Sequence, residues 1–86
     1  MEAGVAQSAL RPLRTIAADI KAAWPKPNYG AVPYLDAMFS LNAITDDYYA
    51  DSGESVVLYF LANANSFRGE KARALKQELK RHLGRK

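Results

Sequence analysis

The chain contains no cysteine, so neither a disulfide framework nor a thiolate zinc site can form. His82 is its only histidine. No apolar run approaches the ~20 residues of a membrane span. Met1 to Leu10 has neither the cationic start nor the sustained apolar stretch of a secretory signal. A Gly-rich phosphate loop, a nucleophile elbow, metal-ligand spacing, internal repeats and low-complexity segments are also missing. These absences lead us to expect a cytoplasmic chain with no membrane partner, no metal, no cofactor and no catalytic residues.

What is present suits one small globular unit. At 86 residues there is room for a single domain spanning 1–86. Such a chain buries only about 60% of the surface its unfolded form exposes. A hydrophobic fraction of 49% and an aromatic fraction of 10% argue against disorder throughout. The net charge of +3 is unevenly spread: residues 67–86 hold eight Lys or Arg against two Glu, residues 1–66 four against seven acids. The two parts therefore carry +6 and −3, an asymmetry that bears on partners rather than on fold.

Residues 1–9 have no clear period, and a frayed end is expected there. Pro12 suits a first helical turn, and Leu13, Ile16, Ala17, Ile20 and Trp24 make one apolar stripe that Pro25 ends. Pro25 to Gly30 reads as an extended connector closing in a turn. A second helix follows from Pro33, with Tyr34, Leu35, Met38, Phe39 and Leu41 on its apolar side and an end at Asn42.

Ile44 to Gly53 is the most polar stretch and reads as a loop with room for one helical turn. Asp51 or Ser52 can cap the next helix, with Glu54 at capping-box distance from Asp51. Val56, Val57, Phe60, Leu61 and Ala64 form its apolar face, and the cap and flanking alanines favour helix over a buried strand. Ser66 can cap a last helix with Ala72, Leu75, Leu79 and Leu83 inward, cations in its last turns and Gly84 as its C-terminal cap. The expected fold is all-α, a small compact bundle of three to four short helices over 11–24, 33–42, 53–64 and 67–83, with sequential neighbours packed together. A basic tail occupies 84–86.

Tyr29-Gly30-Ala31-Val32-Pro33-Tyr34-Leu35-Asp36-Ala37-Met38 and Tyr59-Phe60-Leu61-Ala62-Asn63-Ala64-Asn65-Ser66-Phe67-Arg68-Gly69 carry a resemblance. Over about Ile16 to Leu83 the chain resembles a group of short, uncharacterised proteins of actinobacteria and the phages that infect them. The resemblance implies a phage or prophage accessory protein that binds a host component. It brings no established activity and no functional residues.

Among the residues themselves, Glu78 lies one helical turn before His82, an ordinary helix spacing, so His82 is expected to flank the core or cap the helix end. The acidic loop lacks the alternating ligands of a calcium loop, because Tyr48 or Tyr49 falls at the third position. Trp24, Phe39 and Phe60 sit on apolar stripes and are expected in the core.

Two binding surfaces remain. Tyr29, Tyr48 and Tyr49, with Asp46, Asp47 and Asp51, suit a protein-binding surface, because binding energy concentrates at aromatics. That makes a non-enzymatic interaction module, binding an unknown protein or a second copy of itself, the first expectation. The alternative is a small DNA-binding domain using Arg68, Lys71, Arg73, Lys76 and Lys80 on the basic last helix. The order of helix, short turn at 64–66 and basic helix matches a helix-turn-helix, although the turn lacks glycine and Gly69 would fall inside the recognition helix.

Overall fold

Helix α1, Leu13–Ala23, starts after Pro12, whose carbonyl accepts the N–H groups of Thr15 and Ile16 at 3.0 and 3.2 Å. The N–H groups of Leu13 and Arg14 would be orphaned in an isolated helix. Here they donate to the carbonyls of Asn42 and Leu41, at 3.0 and 2.8 Å. The first turn of α1 is thus satisfied by a segment nearly thirty residues away in sequence. Leu13, Ile16, Ala17 and Ile20 are buried on one face, and the helix ends before Pro25 as expected. The computed structural model describes residues 10–84; the expected frayed segment 1–9 and the tail residues Arg85 and Lys86 lie outside them.

Helix α2, Val32–Met38, is shorter than the periodicity suggested. Beyond it the chain tightens, with Phe39, Ser40 and Leu41 donating to the carbonyls of Asp36, Ala37 and Met38. Those bonds close three residues apart instead of four. The tighter turn carries Leu41 into the core and turns Phe39 outward, so Phe39 is 41% exposed and not the core residue expected.

The acidic loop contains a hairpin rather than a helical turn. Strands β1, Asp47–Tyr48, and β2, Asp51–Ser52, pair antiparallel, with Asp47 opposite Ser52 and Tyr48 opposite Asp51. Helix α3, Gly53–Ala62, follows at once, and the run Val56–Leu61 is helical. Its cap is Ser52, whose Oγ accepts the N–H of Ser55 at 3.1 Å. The Asp51–Glu54 box is not used, because Asp51 belongs to β2.

Helix α4, Glu70–His82, begins three residues later than expected. Gly69 lies at φ 108°, ψ 177°, which no helix continues through, and its φ is one that L side chains rarely adopt. Ser66 caps nothing; its hydroxyl donates to the Asn28 side chain at 3.0 Å. Gly84, at φ 77°, ends the helix as expected.

Packing departs from sequential order. α1 packs on α2 and α2 on α3, but α4 packs chiefly on α1. Leu75 and Leu79 of α4 join Leu13, Ile16, Ile20, Leu35, Met38, Val57 and Phe60 in a single core. This arrangement overturns the helix-turn-helix expectation. Seven residues separate α3 from α4, where that motif uses a turn of three or four. The result is a mostly α globule of four helices, and none of its described helices is long and apolar enough to cross a membrane.

Candidate nucleic-acid interface

At the start of α4, Phe67, Arg68, Gly69, Ala72, Arg73 and Lys76 line an open cleft of about 300 Å³. Its inner wall is Phe67, buried and stacked on Trp24 with ring centroids 4.9 Å apart and planes 13° apart. Trp24 in turn meets Phe60 edge-on at 6.3 Å. This aromatic stack joins the end of α1 to the core and leaves Trp24 half-buried. Phe67 is anchored, and the residues that follow it are held in place.

Lys76 is the most constrained cation. Its Nζ donates to the Phe67 carbonyl at 2.7 Å and lies 5.8 Å from the Phe67 ring centroid. Burial lowers its pKa, and the like charges of Lys80 and Arg68 lower it further. One of its three N–H donors serves the carbonyl, so two remain. Arg68 is steadied by donation from Nε to the Asn65 carbonyl at 3.3 Å. Arg73 and Lys80 are exposed, and at ~100° per residue they fall on the same flank of α4 as Lys76.

Neither acid of α4, Glu70 or Glu78, forms an ion pair with that flank. Glu78 takes a bidentate grip from Arg11, with Nε to Oε1 and Nη2 to Oε2 both at 2.8 Å. Arg11 also reaches Asp19 through Nη1 at 2.8 Å, and these two carboxylates hold its pKa above the usual arginine value. Glu78 is thus engaged by Arg11 and not by His82 one helical turn on. His82 is buried, and its Nε2 lies 2.7 Å from the Arg11 carbonyl oxygen. A carbonyl can only accept, so Nε2 carries the proton. Among the described residues, no carboxylate forms an ion pair with Arg68, Arg73, Lys76 or Lys80.

The cationic set expected from the sequence is thus mostly gathered. Arg68, Arg73 and Lys76 line the cleft, and Lys80 continues the row one turn on. Lys71 does not belong with them; the helical angle puts it on the opposite flank, toward Glu78. Gly69 was missed as a lining residue. A glycine between two charged residues, Arg68 and Glu70, was the available sign that the helix starts after it.

The tyrosine and acid set is split. Asp46 is committed locally: one carboxylate oxygen accepts the N–H groups of Asn42 and Ala43 at 2.8 and 3.1 Å, holding its pKa below the usual range. Asp47, Tyr48, Tyr49 and Asp51 form the hairpin. Asp47 and Asp51 are exposed, and the two tyrosine rings meet edge to face at 4.7 Å. Tyr29 lies at the other end of α3. There Asn28 donates to the Asn63 carbonyl at 3.1 Å and accepts from Ser66 at 3.0 Å, so the connector bearing Tyr29 is tied to the one leading into the cleft.

No protein-family model, curated protein or solved structure matches the chain. The functional reading rests on the residues of the site.

Proposed function

We propose that this is a non-enzymatic binding module that grips nucleic acid by its phosphates, through Arg68, Arg73, Lys76 and Lys80. The observation that carries the reading is the gathering of like charge around a half-buried ammonium, with no carboxylate among the described residues in an ion pair with it. Such a cluster opposes folding and is relieved when a polyanion arrives. Duplex reading by an inserted recognition helix forms no part of the proposal, since the motif it needs is absent. Contact is to the backbone, which positions a strand without reading its sequence.

Four phosphate contacts would release counterions, giving a slope of log affinity against log salt of about −3 to −4. Between ~50 and ~200 mM salt, affinity for a mixed-sequence labelled oligonucleotide would then fall by about two orders of magnitude. Fluorescence anisotropy measures it. Joint substitution of Arg73→Glu and Lys80→Glu, both exposed, is expected to abolish most binding without lowering the thermal melt. Absence of binding at ~50 mM salt, or binding indifferent to the double substitution, would refute the proposal.

A second reading, contact with another protein through the hairpin, is favoured by one observation. Tyr49 sits at φ 55° and is 89% exposed. A non-glycine residue there costs about 1 kcal/mol, and no burial of its ring offsets that. Asp47 and Asp51 beside it suit a basic surface, a second copy's α4 flank included. Sedimentation velocity of the parent and of Tyr49→Ala tests the self-contact. A parent that stays monomeric at ~1 mM protein would remove it.

A further inference from the structure

Resting on the phosphate-binding reading, we infer that the nucleic acid taken by this face is single-stranded and that Tyr29 is a platform on which one of its bases stacks. Four of the five tyrosines are paired in the fold: Tyr34 stacks on Tyr59 at 5.5 Å, and Tyr48 meets Tyr49. Tyr29 is the exception. It is 96% exposed, and its ring stacks on no other aromatic among the described residues.

The ring is free, but its backbone is fixed. Pro25 and Pro27 stiffen the connector, and Ala31 donates to the Asn28 carbonyl at 2.9 Å to close the turn around Tyr29. The Asn28 side chain then ties that turn to Asn63 and Ser66. Gly30 seats closely against the same end of α3, where an added Cβ would lie 2.8 Å from Asn63 Oδ1. Tyr29 is one residue from this clamp on its side and Arg68 two residues from it on the other. At ~3.8 Å per Cα step, their Cα atoms stay within about 20 Å of each other. A strand a few nucleotides long is therefore long enough to reach from the tyrosine to the cleft.

Three features favour a single strand over a duplex. A duplex keeps its base faces stacked inside, so it offers nothing to an exposed aromatic ring, whereas unpaired bases stack on such rings whatever their identity. The cleft, at about 300 Å³, is at the small end of ligand pockets and suits a single nucleotide's phosphate and sugar. The helix-turn-helix arrangement that would set α4 into a duplex groove is absent, since seven residues separate α3 from α4.

The test is anisotropy with a labelled oligothymidylate of ~12 nucleotides and a duplex of the same length at ~50 mM salt, using the parent, Tyr29→Ala, Tyr29→Phe and the Arg73→Glu/Lys80→Glu double variant. The expected result is tighter binding of the single strand, weakened about tenfold by Tyr29→Ala, retained in Tyr29→Phe, with duplex binding unchanged by either. Equal affinity for both forms, or single-strand binding unmoved by Tyr29→Ala but lost in the double variant, overturns the inference and leaves the phosphate reading standing. If neither oligonucleotide binds, both fall. Tyr29 makes no core contact, so a melt matching the parent's excludes misfolding as the cause.

Discussion

Gly53→Ala sets two effects of opposite sign against each other. Alanine is the better helix former by up to ~1 kcal/mol, and Gly53 is the first residue of α3, so propensity alone predicts stabilisation. The site has no room. A Cβ there would lie 2.8 Å from the Ala43 carbonyl oxygen, 3.0 Å from that of Asp46 and 3.0 Å from Ile44 Cα. All three are backbone atoms, so no rotamer change relieves the contact. Nor can the loop retreat freely, because Gly53 N–H donates to the Asp46 carbonyl at 2.7 Å and Glu54 N–H to that of Ile44 at 3.2 Å. Overpacking of this kind costs about 1–3 kcal/mol, and stretching the two hydrogen bonds adds to it. Against a gain of at most ~1 kcal/mol, the net expectation is a loss of about 1–2 kcal/mol. For a domain this size the midpoint should drop by about 5–15 °C in a thermal melt followed by circular dichroism. Urea titration at fixed temperature should show the same loss through a lower midpoint with an unchanged slope. A variant melting at or above the parent would refute the steric argument and show that the 43–46 loop yields easily.

Two further outcomes follow from the polar contacts. The Asp46 carboxylate is held below the usual range by the N–H groups of Asn42 and then Ala43, so its stabilising effect is present above the unfolded value of about 3.9 and is lost as pH falls through the folded one. Asp46→Asn should melt lower than the parent at neutral pH, and the gap should close below about pH 4; a gap constant with pH would show that ionisation plays no part. His82→Ala removes the donor to the Arg11 carbonyl and leaves a space where the buried ring sat, for an expected loss of about 2–3 kcal/mol in urea unfolding, and a loss under ~0.5 kcal/mol would show that neither the bond nor the packing matters.

Much of the fold was legible because its helices carry local signals. The stripe from Leu13 to Ile20, the stop at Pro25, the cap at Ser52 and the apolar run after it each act within a turn or two of chain. The misjudged boundaries are those where a longer-range interaction wins. α2 ends early because its last residues tighten to bury Leu41 and supply carbonyls to α1. α4 starts late because Gly69 adopts a backbone conformation outside the helix; the glycine was a sign that the apolar periodicity on either side of it outweighed. Phe39 continued an apolar stripe on a helix that had already ended, which is why periodicity placed it inside.

The candidate site divides in the same way. By itself, the sequence determined that eight of the twelve cations lie in the last twenty residues, that Arg73, Lys76 and Lys80 share a flank, and that the aromatics are many for so small a core. Those properties follow from composition and from the helix period. Only the tertiary structure decided which carboxylates are unavailable, by sending Arg11 across to Glu78 and using Asp46 to hold its own loop. It also separated Tyr29 from Tyr48 and Tyr49 and tied its turn, through Asn28, to the segment that leads into the cationic cleft. These outcomes depend on pairs of residues far apart in sequence, and contacts of that kind leave no periodic trace in the chain.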